Sequence, residues 1–264
     1  MKYLAYAALI LCLLASPTRA DIAAGLAAME SGDYAAAYRE LFPLADGDDT
    51  EAQRLIGVMY RDGLGVAAFY DQAIKWFSIA AAYGSPAAQL DLGNMYDTPR
   101  GVVQDHRQAV VWYRRAAEQG YALAQSDLGT SYGTGRGVER DYVEAVKWWR
   151  KAADQGIAKA QYNLGVAYEY GRGAENDKMQ AVQWWRLAAE QGDANAQRAL
   201  GDAFLWGEGV EKDIVLAYMW FSLATSQENE RAKVGLDFVV KILMPDQRIQ
   251  AIEFAEAWRL AHDG

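Results

Sequence analysis

Apolar residues recur along this chain with a short period set inside a long one. In Ala160-Gln161-Tyr162-Asn163-Leu164-Gly165-Val166-Ala167-Tyr168, the residues Ala160, Leu164 and Tyr168 fall every four positions. That spacing places them on one stripe of an α-helix. The stripe stops at Gly171 and Gly173, and glycine can take the left-handed conformation that a helix exit often needs. It resumes at Asp177, with Gln180 three residues on, and runs through Ala181, Trp184, Trp185 and Ala188 to Gly192. An aspartate that accepts from free amides, answered by an acid or amide three residues later, is a capping-box-like start. Asp141 with Glu144 and Asp105 with Gln108 repeat it. The predicted unit is a hairpin of two helices.

The long period is thirty-six residues. Gln53, Gln89, Gln125, Gln161 and Gln197 keep it, as do Gly57, Gly93, Gly129, Gly165 and Gly201. So do Tyr60, Tyr96, Tyr132, Tyr168 and Phe204. In the second half of the unit, Ala73, Ala109, Ala145, Ala181 and Ala217 are each followed by Trp76, Trp112, Trp148, Trp184 and Trp220, and then by a second aromatic. The units are 49–84, 85–120, 121–156, 157–192 and 193–228. One such hairpin cannot bury its apolar face alone, so neighbours bury it jointly. The repeated tryptophans are therefore expected in the core, where Trp148→Ala or Trp184→Ala costs about 3–5 kcal/mol. The Gly57 position is expected where helices approach closely.

Both ends depart from the motif. Residues 21–48 form a degenerate capping hairpin, with Asp33, Ala37, Leu41 and Ala45 in phase with the second helix of a unit. Residues 229–264 form the other cap, with helices over 229–243 and 246–261 and Pro245 suiting a helix start. Inside the array, Asp97-Thr98-Pro99-Arg100-Gly101 replaces the glycine pair, which predicts a loop of different shape. Phe69 stands where later units have the capping aspartate.

The motif Ala-Gln-x-x-Leu-Gly-x-x-Tyr-x-x-Gly-x-Gly, then Ala-x-x-Trp-aromatic-x-x-Ala-Ala-x-x-Gly, resembles the Sel1-like repeat, a relative of the tetratricopeptide repeat. The resemblance covers five units. It implies an all-α, right-handed α/α superhelical solenoid. It also implies a protein–protein adaptor, since exported bacterial relatives regulate sensor kinases, organise envelope polysaccharide export or contact a host. Some cysteine-rich relatives have been described as β-lactamases. This chain has no Ser-x-x-Lys motif and none of those cysteines, so that activity is not carried over.

The first twenty residues read as a leader. Lys2 precedes an apolar run from Tyr3 to Ala15, and Thr18 and Ala20 are the small residues before a cut after Ala20. This is the pattern of a secretory signal peptide, in a run shorter than the roughly 20 apolar residues of a membrane span. The expectation is an exported protein, periplasmic or secreted, with no stable membrane anchor after cleavage. The only cysteine, Cys12, lies in the leader behind Leu11 rather than a small residue, so lipidation is not expected. The mature chain then folds without disulfides. Removing Lys2 and Arg19 from 26 basic residues against 35 acidic ones takes the formal charge from −9 to −11. A surface of that sign repels phosphate backbones and anionic headgroups, which argues against nucleic acid as a partner.

Candidate chemistry is sparse. Gly129-Thr130-Ser131-Tyr132-Gly133 matches the nucleophile-elbow pattern, but that motif needs a strand-to-helix turn and this one falls inside a predicted helix. His106 and His262 sit in distant units without cysteine, which is no basis for a transition-metal site. No cofactor and no enzymatic activity are expected; a hydrolase hidden at unit boundaries is the weakest alternative. Counting about 100° per residue, Tyr162, Val166, Glu169 and Tyr170 point away from the Leu164 face. Arg198, Asp202, Leu205 and Trp206 do so in the next unit. Earlier equivalents, Ser126, Thr130, Gly133 and Thr134, are small. Those eight residues form the expected partner-binding face, since Tyr, Arg and Trp are enriched at binding hot spots. The occupant is expected to be another protein, with an envelope glycan as the alternative.

Overall fold

A computed structural model describes residues 22–99 and 103–262. The leader and the end of the loop at Arg100-Gly101 lie outside the described residues. Among the described residues there are fourteen helices and no strand. They divide into two units at Tyr83.

The first unit holds α1 (Ile22–Glu30), α2 (Tyr34–Asp46), α3 (Thr50–Asp62) and α4 (Tyr70–Ala82). Ala37, Leu41 and Ala45 are buried on α2, in phase with the repeat, and Asp33 caps that helix by accepting from the Ala36 amide. Phe69 begins α4 without any side-chain cap.

The second unit holds α5 (Pro86–Asp97), α6 (His106–Glu118), α7 (Ala122–Thr134), α8 (Tyr142–Ala153), α9 (Ala158–Tyr170), α10 (Lys178–Glu190), α11 (Ala194–Trp206), α12 (Ile214–Ser226), α13 (Glu230–Ile242) and α14 (Pro245–His262). The odd helices α5, α7, α9 and α11 each pack on the even helix that follows, α7, α9, α11 and α13 pack on the even helix before them, and α14 packs back on α12. Asp105, Asp141, Asp177 and Asp213 cap α6, α8, α10 and α12 through their carboxylates. The amide of each capping aspartate donates to the carbonyl of the recurring aromatic, as in Asp177 N to Tyr168 O at 3.0 Å. This hydrogen bond returns the chain from the first helix to the second.

The Gly-x-Gly loop has two separate jobs. Gly171 leaves α9 in the left-handed region, with φ +64°, and its amide closes on Ala167 O. Gly173, φ +74°, passes so close to the previous hairpin that a Cβ would lie 2.0 Å from Tyr142 O. Only glycine fits there. After α5, where Pro99 stands at the first glycine position, Thr98 ends the helix in an extended conformation instead.

Within each hairpin, the helical glycine faces the second aromatic. A Cβ on Gly57, Gly93, Gly129, Gly165 or Gly201 would meet Phe77, Tyr113, Trp149, Trp185 or Phe221 within 2.6 Å. These second aromatics are the buried ones, from Phe77 at 0% to Trp149 at 8% exposure. The core expectation for the first aromatic is corrected here. Trp112, Trp148 and Trp184 are only half-buried, while Trp76 and Trp220 are buried. Neighbouring helical residues differ by 100° in direction, so one of the pair enters the hairpin and the other covers its flank.

The recurring glutamine is structural. Gln125, Gln161 and Gln197 each donate to the carbonyl of Ala117, Ala153 or Ala189 in the preceding hairpin. Their Oε1 atoms accept from Gln155, Gln191 and Gln227, at 2.8–3.0 Å. A polar side chain at most 5% exposed is thus satisfied at both ends and ties one hairpin to the next.

Candidate functional site

Successive hairpins of the second unit leave three equivalent pockets along the faces of the first helices. Each is floored by the second aromatic of a hairpin: Tyr113, Trp149 or Trp185. Their volumes are about 260, 160 and 70 Å³. Asp97, Gly133 and Glu169 occupy one place in them, Thr130, Val166 and Asp202 another, and Arg136, Arg172 and Glu208 a third.

The pocket floored by Tyr113 is polar and internally paired. Tyr113 donates to Asn94 Oδ1 at 2.8 Å. His106 Nδ1 lies 2.8 Å from Asp97, and Lys159 lies 2.9 Å from Asp127. Burial, with Asp127 and Asp97 nearby, raises the Tyr113 phenol. In the pocket floored by Trp149, Arg172 stands 5.8 Å from the Tyr142 ring centre and 5.0 Å from that of Tyr170.

The pocket floored by Trp185 gathers four of the eight residues expected on the binding face: Glu169, Tyr170, Arg198 and Asp202. Arg198 pairs with Asp202 one turn along α11, and Lys178 meets Glu208 at 2.9 Å. Glu169 adjoins Tyr170, whose hydroxyl favours the charged carboxylate. Burial raises the carboxyls of Glu169 and Asp202, and the attraction of Arg198 offsets part of each rise. The phenol of Tyr170 is raised too, by desolvation and then by Glu169. The Trp185 side chain is 5% exposed and its indole N–H has no hydrogen-bond partner. In Trp149 the same N–H reaches Thr130 at 3.5 Å; Val166 replaces that threonine in the next unit.

The other four residues separate. Trp206 is 61% exposed beside the pocket, and its ring packs against Phe238 of α13 at 5.9 Å rather than against Tyr170. Tyr162 and Val166 are partly buried against the core of α10 to α12. Leu205 is a correction, being 3% exposed inside that core. A helical wheel assumes one buried face, but α11 packs on α13 as well as on α12, so its flank is covered.

The helix expected over 229–243 is α13, but its apolar stripe was not foreseen. Its residues Val234, Phe238 and Ile242 lie thirty-six positions after Arg198, Asp202 and Trp206. All three are exposed, at 43% or more. With Trp206 they make an apolar stripe at the open side of the last first-helix face. The signal was present in the register, but α13 lacks the Leu-Gly-x-x-Tyr motif that marks the other first helices.

Ser131 lies inside α7, where its hydroxyl donates to Asp127 O at 2.9 Å. Among the described residues there is no group of three or more His, Cys, Asp or Glu placed to hold a metal ion. No helix among them is long and apolar enough to cross a membrane.

These hairpins are Sel1 repeats. The Sel1 repeat model matches residues 50–85, 86–121, 122–157, 158–193 and 194–229, one residue later than the units drawn from the sequence. The chain belongs to the Sel1 repeat family, and its fold is the all-α solenoid of that family. A Sel1 repeat protein from Oxalobacter formigenes has a similar structure, with 32% identity and a TM-score of 0.77 over 88% of this chain and 94% of that one. A protective antigen of uropathogenic Escherichia coli strains, displaying an SLR fold, is 28% identical with a TM-score of 0.58; 90% of this chain matches 61% of that one. The immunity protein Pa5087 from Pseudomonas aeruginosa shares the fold at 19% identity and a TM-score of 0.51, over 79% of this chain and 83% of that one. No curated protein matches the chain. Sel1 repeat proteins in general mediate protein–protein interactions.

Proposed function

We propose that this chain is an exported, non-enzymatic Sel1 repeat adaptor that holds a segment of another protein along α9, α11 and α13. The observation that carries the reading is the row of equivalent pockets ending in the exposed pair Trp206 and Phe238. Exposed apolar residues gathered in one stripe mark interaction sites more often than isolated ones do. Export rests on the leader pattern of residues 1–20, and a periplasmic or secreted location follows from it. Similarity to a protective antigen is in keeping with a place outside the cytoplasm. The acidic surface disfavours nucleic acid.

Affinity capture from the extracytoplasmic fraction of producing cells tests this. The wild type should retain a discrete protein that a Tyr170→Ser/Trp206→Ser variant of equal helicity loses. Equal capture by both overturns the assignment of the face, and retention by a purified envelope glycan instead of a protein overturns the choice of partner.

A further inference from the structure

We infer that the pocket floored by Trp185 is a subsite for a basic side chain of the bound segment, beside the stripe of Trp206 and Phe238, which seats an apolar neighbour. The inference deepens the proposed protein-binding function and rests on it.

The three pockets occupy one place in successive hairpins, so their differences isolate what the last one is built for. Where the earlier pockets carry Arg136 and Arg172, it carries Glu208. Where they carry Thr130 and Val166, it carries Asp202. Glu169 follows Asp97 and Gly133. The sign of the pocket has therefore reversed within one repeat. Arg198 answers Asp202 and Lys178 answers Glu208, which leaves the third carboxylate of the pocket, Glu169, without a close ion pair. An arriving ammonium or guanidinium completes that balance.

Two further observations agree. Glu169 and Asp202 are carboxyls raised by burial, so their charged forms are held at a cost that a cation in the pocket lowers. Lys and Arg also carry apolar stems, and the exposed rings of Tyr170 and Trp206 can cover such stems and attract the charge at their tips. Beyond the pocket, Val234, Phe238 and Ile242 continue the surface without charge. A segment with a basic residue next to an apolar one fits both halves.

A randomised twelve-residue peptide display library, selected on the purified protein, tests the inference. Selected peptides should be enriched in Lys or Arg beside an aromatic or aliphatic residue. Trp206→Ser/Phe238→Ser should abolish their binding. Glu208→Arg, which restores the residue of the two preceding repeats and so suits the fold, should weaken basic peptides on the order of tenfold. Peptides that need Trp206 and Phe238 but show no basic enrichment, or that bind Glu208→Arg equally well, overturn this inference and leave the binding face standing. A selection that yields no peptide dependent on Trp206 and Phe238 overturns both. A dimer in solution that Phe238→Ser dissolves assigns the stripe to a second copy of the chain and overturns the inference.

Discussion

Single residues divide the labour of this fold between two adjacent aromatics. The second of each pair lies over a helical glycine, and a Cβ on Gly165 would come within 2.3 Å of Trp185. The first lies on the flank, where Arg150 stands 4.9 Å from the Trp184 ring centre. Trp185→Ala should therefore cost about 3–5 kcal/mol, the usual range for emptying a buried aromatic site. Trp184→Ala should cost only about 1–2 kcal/mol, as for a half-exposed contact. Urea unfolding of the two variants checks the order; equal losses, or a greater loss at Trp184, contradict it. Both registers were legible in the sequence, as was the need for a small residue at Gly165. Which aromatic goes inward was not, because neighbours differ by one step of rotation and the period alone does not set its origin.

Between elements, the recurring glutamines act as ties. Where the partner glutamine is present, each Nε2 donates to the preceding hairpin, as Gln161 does to Ala153, and each Oε1 accepts from the far end of its own hairpin, as Gln161 does from Gln191. In the first unit the partner position is held by Tyr83, 64% exposed, and Gln53 Oε1 is buried without a partner. Tyr83→Gln should supply the missing donor and stabilise the protein by about 0.5–1.5 kcal/mol, the net value of an ordinary hydrogen bond. A rise in the urea midpoint checks it, and an unchanged or lower midpoint contradicts it. Helix starts and stops were readable in advance, since Asp177 and Gly171 each act locally on their own helix end. The pairing of helices across hairpins was not. Leu205 was assigned to the open face because a wheel of one helix contains no neighbour, and the exposed stripe of α13 was not read because Val234, Phe238 and Ile242 keep the register while the motif around them is gone.

At the scale of the whole molecule, the repeat uses most of its recurring residues for stacking. What varies from repeat to repeat lies on the first-helix faces, and there the change from Ser126, Thr130 and Thr134 to Arg198, Asp202 and Trp206 is the largest departure from uniformity. Stability does not require that change, since the bland version folds two repeats earlier. The central claim is that this face of α11 and α13 is where a partner sits. Its most direct test is site-specific photo-crosslinking in producing cells, with a benzoylphenylalanine placed in turn at Trp206, Phe238, Val143 and Met179. All four positions are exposed, at 61%, 44%, 53% and 65%, and the last two lie on second helices. A discrete crosslinked protein is expected from Trp206 and Phe238 and none from Val143 or Met179. Adducts confined to the second-helix positions, or equal at all four, would contradict it.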